Sequence, residues 1–176
     1  NGLEKGNSDC EILLPLIKDV GIVNTLKMLN GDFAFIYTDG KRVIAARDPV
    51  GVRPLFYCRY SHESIAFASE AKALLFLNAE INIFPPGHFF DSHVNDFICY
   101  HTGYWSVNKY VKMDSMGLLR QKLEYAVKQR IDNTERDVGF LLSGGLDSSL
   151  IASIATKIMG KIKTFSIGLP NSPDLT

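Results

Sequence analysis

Between residues 138 and 168 the chain runs through strand, turn, helix and strand signals in an order few architectures accept. An apolar run, Val138-Gly139-Phe140-Leu141-Leu142, leads into Ser143-Gly144-Gly145-Leu146-Asp147-Ser148-Ser149; a helical pattern over 148–159 ends at Gly160, and a second extended run spans Lys163 to Gly168. Short connections between these segments predict a βαβ unit, two parallel strands joined through a helix. One such unit cannot bury both faces of its sheet. The second half of the chain is therefore expected to be cut short, a fragment or a piece ending where its ordered part ends.

The turn inside that unit carries the chemistry. Gly144 and Gly145 let the main chain turn tightly and approach a ligand without a Cβ in the way. A strand-to-helix turn of this kind presents backbone N–H groups to a phosphate. Ser143, Ser148 and Ser149 add hydroxyls to the same concavity. Asp147 is out of place in a site that binds anions alone, but fits one where a magnesium ion bridges a carboxylate to phosphates. The alternative is a plain turn, with serine as N-cap and glycine for geometry, which needs no ligand. No Gly-Lys-Ser/Thr follows the glycines and G-x-G-x-x-G is absent, so neither a Walker loop nor a dinucleotide fingerprint accounts for the stretch. SGGLDSS resembles the signature of the PP-loop ATP pyrophosphatases, which cleave ATP to AMP and pyrophosphate while activating a substrate carbonyl.

Composition narrows the function classes. The 176 residues hold 19 basic and 19 acidic side chains, a formal net charge of zero. No basic stripe interleaved with aromatics appears, which argues against nucleic acid as a partner. No apolar run is long enough to cross a bilayer, so no membrane association is expected. Cys10, Cys58 and Cys99 show neither metal spacing nor even pairing, and reduced thiols in a cytoplasmic protein are the natural inference. Cys10 and Cys58 are read as buried small hydrophobes. His62, His88, His93 and His101 lack ligand spacing and receive no chemistry.

The texture changes between residues 104 and 115, and two domains are expected, 1–107 and 108–176. The first is β-rich: Asp32–Thr38, Arg42–Ala46, Leu55–Arg59, Ile65–Ser69 and His88–Phe90 read as strands, with turns at Asp39-Gly40 and Pro49-Val50-Gly51. A helix is expected from about Asp9 to Asp19, capped by Asp9 or Ser8 with Glu11 in its first turn. A second helical run covers Gly21 to Leu29. In the second domain, apolar residues at 119, 123, 126, 127 and 131 predict a helix over Met116–Ile131.

Four segments of the first half occur in a fixed order: Ser8-Asp9-Cys10-Glu11, Leu29-Asn30-Gly31-Asp32-Phe33-Ala34-Phe35, Arg47-Asp48-Pro49-Val50-Gly51-Val52-Arg53-Pro54-Leu55 and Ser69-Glu70-Ala71-Lys72. This series resembles the class II glutamine amidotransferases. Together with SGGLDSS, Thr164-Phe165-Ser166-Ile167-Gly168 and Ser172-Pro173-Asp174-Leu175, it resembles the glutamine-hydrolysing asparagine synthetases over essentially the whole chain. The resemblance implies an α+β N-terminal-nucleophile glutaminase part (α/β/β/α), followed by the start of an α/β PP-loop parallel-sheet domain. It implies that Asp9 holds the α-ammonium of glutamine, a role compatible with helix capping. Arg47-Asp48 is read mostly as a structural ion pair at a turn, Arg53 and Pro54 as architecture, and Glu70 with Lys72 as a solvated pair.

The implied reaction uses ATP and Mg²⁺. Glutamine is hydrolysed, its ammonia passes to the second domain, and aspartate is adenylated to β-aspartyl-AMP and then aminated. The backbone of Ser143, Gly144, Gly145 and Leu146 and the hydroxyls of Ser143, Ser148 and Ser149 would hold phosphates, and Asp147 would ligate the metal. Leu142 and Ile167 would present backbone groups to the adenine, with Ser166 and Gly168 shaping the strand end. A homodimer is compatible with the resemblance. One departure stands out: the class uses a cysteine at the first position of the mature chain, whereas residue 1 here is Asn. No catalytic residue is therefore assigned, and the chain as it stands is expected to be inactive. Two alternatives remain, an amide ligase like the β-lactam synthetases and a non-catalytic ATP-binding remnant.

Overall fold

The structure, a computed structural model, describes residues 9–62, 64–102, 115–134 and 136–168. The chain divides into two compact units, Asn1–Asn108 and Lys109–Thr176. Ser8, Asn1, the expected boundary at 107/108 and the Ser172–Leu175 motif lie outside the described residues.

In the first unit a 3-10 turn, Asp9–Ile12, runs into helix α1, Leu13–Met28. The two expected helical runs are one element broken at Gly21, whose φ of 77° and ψ of 162° suit a residue without a Cβ. Two side chains re-engage carbonyls at the break: the Thr25 hydroxyl donates to Gly21 O at 2.9 Å and the Asn24 amide to Val20 O at 3.0 Å. The N-cap position of α1 is Ile12, without a side-chain cap, and no acid lies in the first turn. The tighter 3-10 turn takes up Asp9 to Ile12, so Glu11 sits ahead of the α-helical dipole it was expected to complement.

Among the described residues, seven antiparallel strands follow: β1 (Ala34–Thr38), β2 (Val43–Arg47), β3 (Phe56–Arg59), β4 (Ile65–Ala68), β5 (Ile81–Ile83), β6 (His88–Asp91) and β7 (Asp96–Cys99). They form two sheets, ordered β1-β2-β6-β7 and β4-β3-β5. Ile44, Ala45 and Ala46 of β2 are all fully buried because the strand is covered on both faces. The alternation of a strand sends Ile44 and Ala46 toward α1, with Ile22, Leu26 and Phe89. It sends Ala45 toward the second sheet, with Leu55, Phe84 and Phe90. Aromatic rings fill that inter-sheet layer; Tyr57 and Phe97 lie 4.7 Å apart, Phe84 and Phe97 5.1 Å. The described residues thus supply α/β/β of the expected four layers, and a 3-10 helix, Ala71–Leu77, packs on the second sheet.

The second unit holds α2 (Ser115–Asp132), β8 (Gly139–Leu141), α3 (Leu146–Met159) and β9 (Lys163–Phe165). β8 and β9 pair in parallel, Phe140 opposite Thr164 and Leu141 opposite Phe165. Their hydrogen-bonded ladder is shorter than the expected runs. Val127, Ile154 and Ala155 form the core, with Leu123, Phe140 and Ile151 packed against it, so α2 and α3 cover the same sheet face. On the opposite face Leu141 is 83% exposed and Phe165 58%. The Phe165 ring crosses Gly139, where a Cβ would come within 2.7 Å of it. One covered face and one open face are what a lone βαβ unit must show.

Candidate functional site

The loop after β8 begins where the ladder ends. Leu142 N–H donates to Phe165 O at 2.9 Å, adding one rung beyond the strands. The Ser166 hydroxyl donates to Leu142 O at 2.5 Å. Both backbone groups of Leu142 are therefore engaged, and only one lone pair of its carbonyl is left. Gly144 then reverses the chain with φ at 79°, and a Cβ there would meet nothing within 4 Å. That conformation is costly for any residue with a Cβ, so this glycine is needed for its backbone.

Gly145 is the N-cap of α3 (φ −68°, ψ 163°), and no side chain caps the helix. The first intrahelical acceptor in the loop is Gly145 O, which receives Ser149 N–H at 3.0 Å. The N–H groups of Leu146, Asp147 and Ser148 precede that bond and point out of the helix end, where the dipole favours an anion. Ser143 and Ser148 face each other, their hydroxyl oxygens 3.2 Å apart, and the Ser148 hydroxyl also donates to Gly145 O at 3.2 Å. Asp147 lies in the first turn of α3, and apart from Leu142 and Ser148, which are partly buried, 143–149 is solvent-exposed. Leu146 is 82% exposed and Ile167 93%. The structure brings Leu142, Ser143, Gly145, Ser148 and Ser166 into one hydrogen-bonded loop. The hydroxyl clip from Ser166 to Leu142 spans 24 residues and left no local signal.

No group of three or more metal-ligating side chains occurs among the described residues. Among the described residues, a metal at this loop would draw one ligand, Asp147. A lone carboxylate suits Mg²⁺, which keeps waters and takes its other ligands from substrate phosphates.

In the first unit the motif around Arg47-Asp48 is built differently from the ion pair expected of it. The Arg47 guanidinium donates to three carbonyls, Arg53 O at 2.8 Å, Phe84 O at 2.6 Å and Gly51 O at 2.7 Å. The Asp48 carboxylate accepts from the backbone N–H groups of Val50, Gly51, Val52 and Arg53, at 2.6 to 3.1 Å. Both side chains are buried. Burial pushes the Asp48 carboxyl upward, yet the four N–H donors together hold it below the usual carboxylate range. The Tyr100 hydroxyl donates to Arg47 O at 2.8 Å. Each charged group is thus matched to loop backbone instead of to the other. Glu70 and Lys72 form the exposed pair expected of them. Asp9 is the first residue of the 3-10 turn ahead of α1. Cys58 is fully buried, whereas Cys10, expected to be buried, is exposed on the 3-10 turn ahead of α1.

Two family models match, one in each unit. Residues 3–76 match the glutamine amidotransferase domain and residues 118–176 the asparagine synthase family. A probable glutamine-hydrolysing asparagine synthetase of Schizosaccharomyces pombe is 38% identical over 97% of this chain and 35% of its own length. Asparagine synthetase (glutamine-hydrolyzing) 1 of Saccharomyces cerevisiae is 36% identical over 96% of this chain and 36% of its own length. Over nearly its whole length the chain is similar to the glutamine-hydrolysing asparagine synthetases, with a glutamine amidotransferase match in the first unit and an asparagine synthase match in the second. It spans about a third of the length of the curated relatives it matches. Among solved structures, one titled as the allosteric regulatory enzyme of purine biosynthesis aligns with a TM-score of 0.49 at 24% identity, over 99% of this chain and 43% of that one.

Proposed function

We propose that this chain is part of an enzyme that makes asparagine from aspartate with ATP, using ammonia released from glutamine. In this reading the first unit belongs to the N-terminal-nucleophile glutaminase domain and Asp9 holds the glutamine α-ammonium. The second unit opens the PP-loop domain and holds the nucleotide. The enzyme would act in the cytoplasm. The observation that carries the reading is the uncapped start of α3 behind Gly144, lying beyond the carboxyl ends of two parallel strands, where ligands of such sheets bind.

The chain's own contribution to the synthetase step is positioning and charge neutralisation. The N–H groups at the start of α3 and the hydroxyls of Ser143, Ser148 and Ser149 receive the β- and γ-phosphates. Leu142 O and the backbone at Ile167 face the adenine. A magnesium ion at Asp147 would neutralise charge on the pyrophosphate leaving group. The aspartate side-chain carboxylate attacks the α-phosphate, giving β-aspartyl-AMP and pyrophosphate; ammonia then displaces AMP.

Replacement of Asp147 by Ala in the intact enzyme tests this. ATP-dependent asparagine formation should fall by about 100-fold or more, while glutamine hydrolysis stays near the wild-type rate. Normal synthesis in Asp147→Ala would remove the metal-ligand assignment.

A further inference from the structure

The stretch that leaves the first unit is tied down beyond the end of its last strand. The ladder between β6 and β7 closes at His88 opposite Cys99. Past it, the Gly87 carbonyl accepts from Tyr100 N–H at 3.0 Å and from His101 N–H at 3.1 Å. Gly87 N–H in turn donates to Asp48 O at 3.0 Å, and the Tyr100 hydroxyl donates to Arg47 O at 2.8 Å. Stretches far apart in sequence thus meet in one bracket. Its base is the turn that the Arg47 and Asp48 side chains hold rigid from within. Gly87 and Tyr100 are buried, and a Cβ on Gly87 would come within 2.6 Å of His101 O. The first unit ends shortly afterwards, at Asn108. The bracket therefore fixes where the chain departs from the first unit, and in which direction.

We propose that the bracket of Arg47, Asp48, Gly87 and Tyr100 is a positioning device that couples the two activities: by fixing the exit of the chain, it keeps ammonia released in the first unit from escaping to solvent before the second unit captures it. This inference rests on the function proposed above. These residues act through the path of the chain and touch no reacting atom. Each glutamine hydrolysed gives one glutamate and one ammonia, and each ammonia captured gives one asparagine. The ratio of glutamate to asparagine therefore reads the loss directly. With the bracket open, Tyr100 and His101 join the connection between the units and add about 7 Å to its reach. That is wider than an ammonia molecule, so opening the bracket lets ammonia leak while leaving the chemistry of each unit as it was.

The test follows glutamate and asparagine formed from glutamine, aspartate and ATP by the intact enzyme, in wild type, Tyr100→Phe and Gly87→Ala. Tyr100→Phe removes one hydrogen bond, and amide exchange at Tyr100 and His101 should quicken about five-fold. The glutamate-to-asparagine ratio should rise in Tyr100→Phe and further in Gly87→Ala, while glutamine hydrolysis and Mg·ATP affinity stay at their wild-type values. If Gly87→Ala does not fold, Tyr100→Phe decides alone. A ratio that stays at the wild-type value overturns the inference, as does amide exchange that fails to quicken. So does a fall in glutamine hydrolysis or Mg·ATP affinity that accounts for the missing asparagine, because the bracket would then serve one site and not the coupling. If the wild-type enzyme makes no asparagine from glutamine, the proposed function fails and the inference goes with it; wild-type synthesis with an unresponsive ratio in the variants overturns this inference alone.

Discussion

In the turn after β2, Asp48 accepts four backbone N–H groups and Arg47 donates to three carbonyls. In the turn after β8, Asp147 stands at the start of α3 and no side chain caps the helix. Both turns contain an aspartate and a glycine with φ near 80°, Gly51 at 77° and Gly144 at 79°. They use these residues in opposite ways. The first turn closes its polar groups upon itself and buries the charges that do so. The second leaves its donors and its acid facing solvent, as a site for a charged ligand requires. Residue type alone does not separate structure from function here; what separates them is whether the hydrogen-bonding capacity is already satisfied.

Removing each acid should break the comparison in two directions. Asp48→Ala leaves four backbone N–H groups without their acceptor, in a partly buried loop, and should destabilise the first unit by about 3 kcal/mol or more. Chemical denaturation followed by the near-ultraviolet signal of its aromatic core reads this. Asp147→Ala removes an exposed side chain from a helix end and should shift stability by no more than about 0.5 kcal/mol, even though synthesis is lost. Equal stability losses in the two variants would mean that Asp147 is as structural as Asp48.

The two glycines sharpen the contrast with a smaller expected effect. A Cβ on Gly51 would lie 2.9 Å from Pro86 Cγ and 3.0 Å from Arg47 Cζ, whereas one on Gly144 would meet nothing within 4 Å. Gly51→Ala combines backbone strain with a clash against a fixed guanidinium and should cost about 3 kcal/mol. Gly144→Ala carries the backbone strain alone, about 1–2 kcal/mol. The open space beside Gly144 is where the proposed phosphate would lie, so this variant should also lose affinity for Mg·ATP beyond its change in stability. Undiminished ATP binding by a folded Gly144→Ala would place the phosphates elsewhere.

The sequence revealed most where local chemistry and local structure coincide. The βαβ order, the glycine end of α3 and the strand texture around Phe35, Ile44 and Phe67 were readable because apolar runs between turn residues suffice to call them up. Ile81–Ile83 and Asp96–Cys99 were missed as strands. One is three residues long, and the other opens on a charged residue and pairs only at the sheet edge. The partners of Arg47 were beyond reach for another reason: Phe84 O lies 37 positions away, so an adjacent Arg-Asp looked like a pair. Within the site, the serines and Gly144 were legible from their spacing. The Ser166 clip was not, because it exists only once β8 and β9 lie side by side.

The smallest effect concerns the hydroxyl that closes the first turn from beneath. Tyr100 is 7% exposed and donates to Arg47 O at 2.8 Å. Tyr100→Phe keeps the ring and leaves that carbonyl short of one donor, which should cost about 1 kcal/mol. Burial, helped by the negative charge of Asp48, pushes the Tyr100 hydroxyl above its usual ionisation range. It therefore stays protonated in the folded protein at pH values where an unfolded tyrosine ionises. The unfolded chain then binds fewer protons than the folded one, so the wild-type advantage is complete below about pH 10 and declines above it. Phenylalanine has no such titration. Denaturation of the two proteins at pH 7 and again above pH 10 should show the gap closing; a gap that stays constant would mean that the Tyr100 hydroxyl ionises alike in both states.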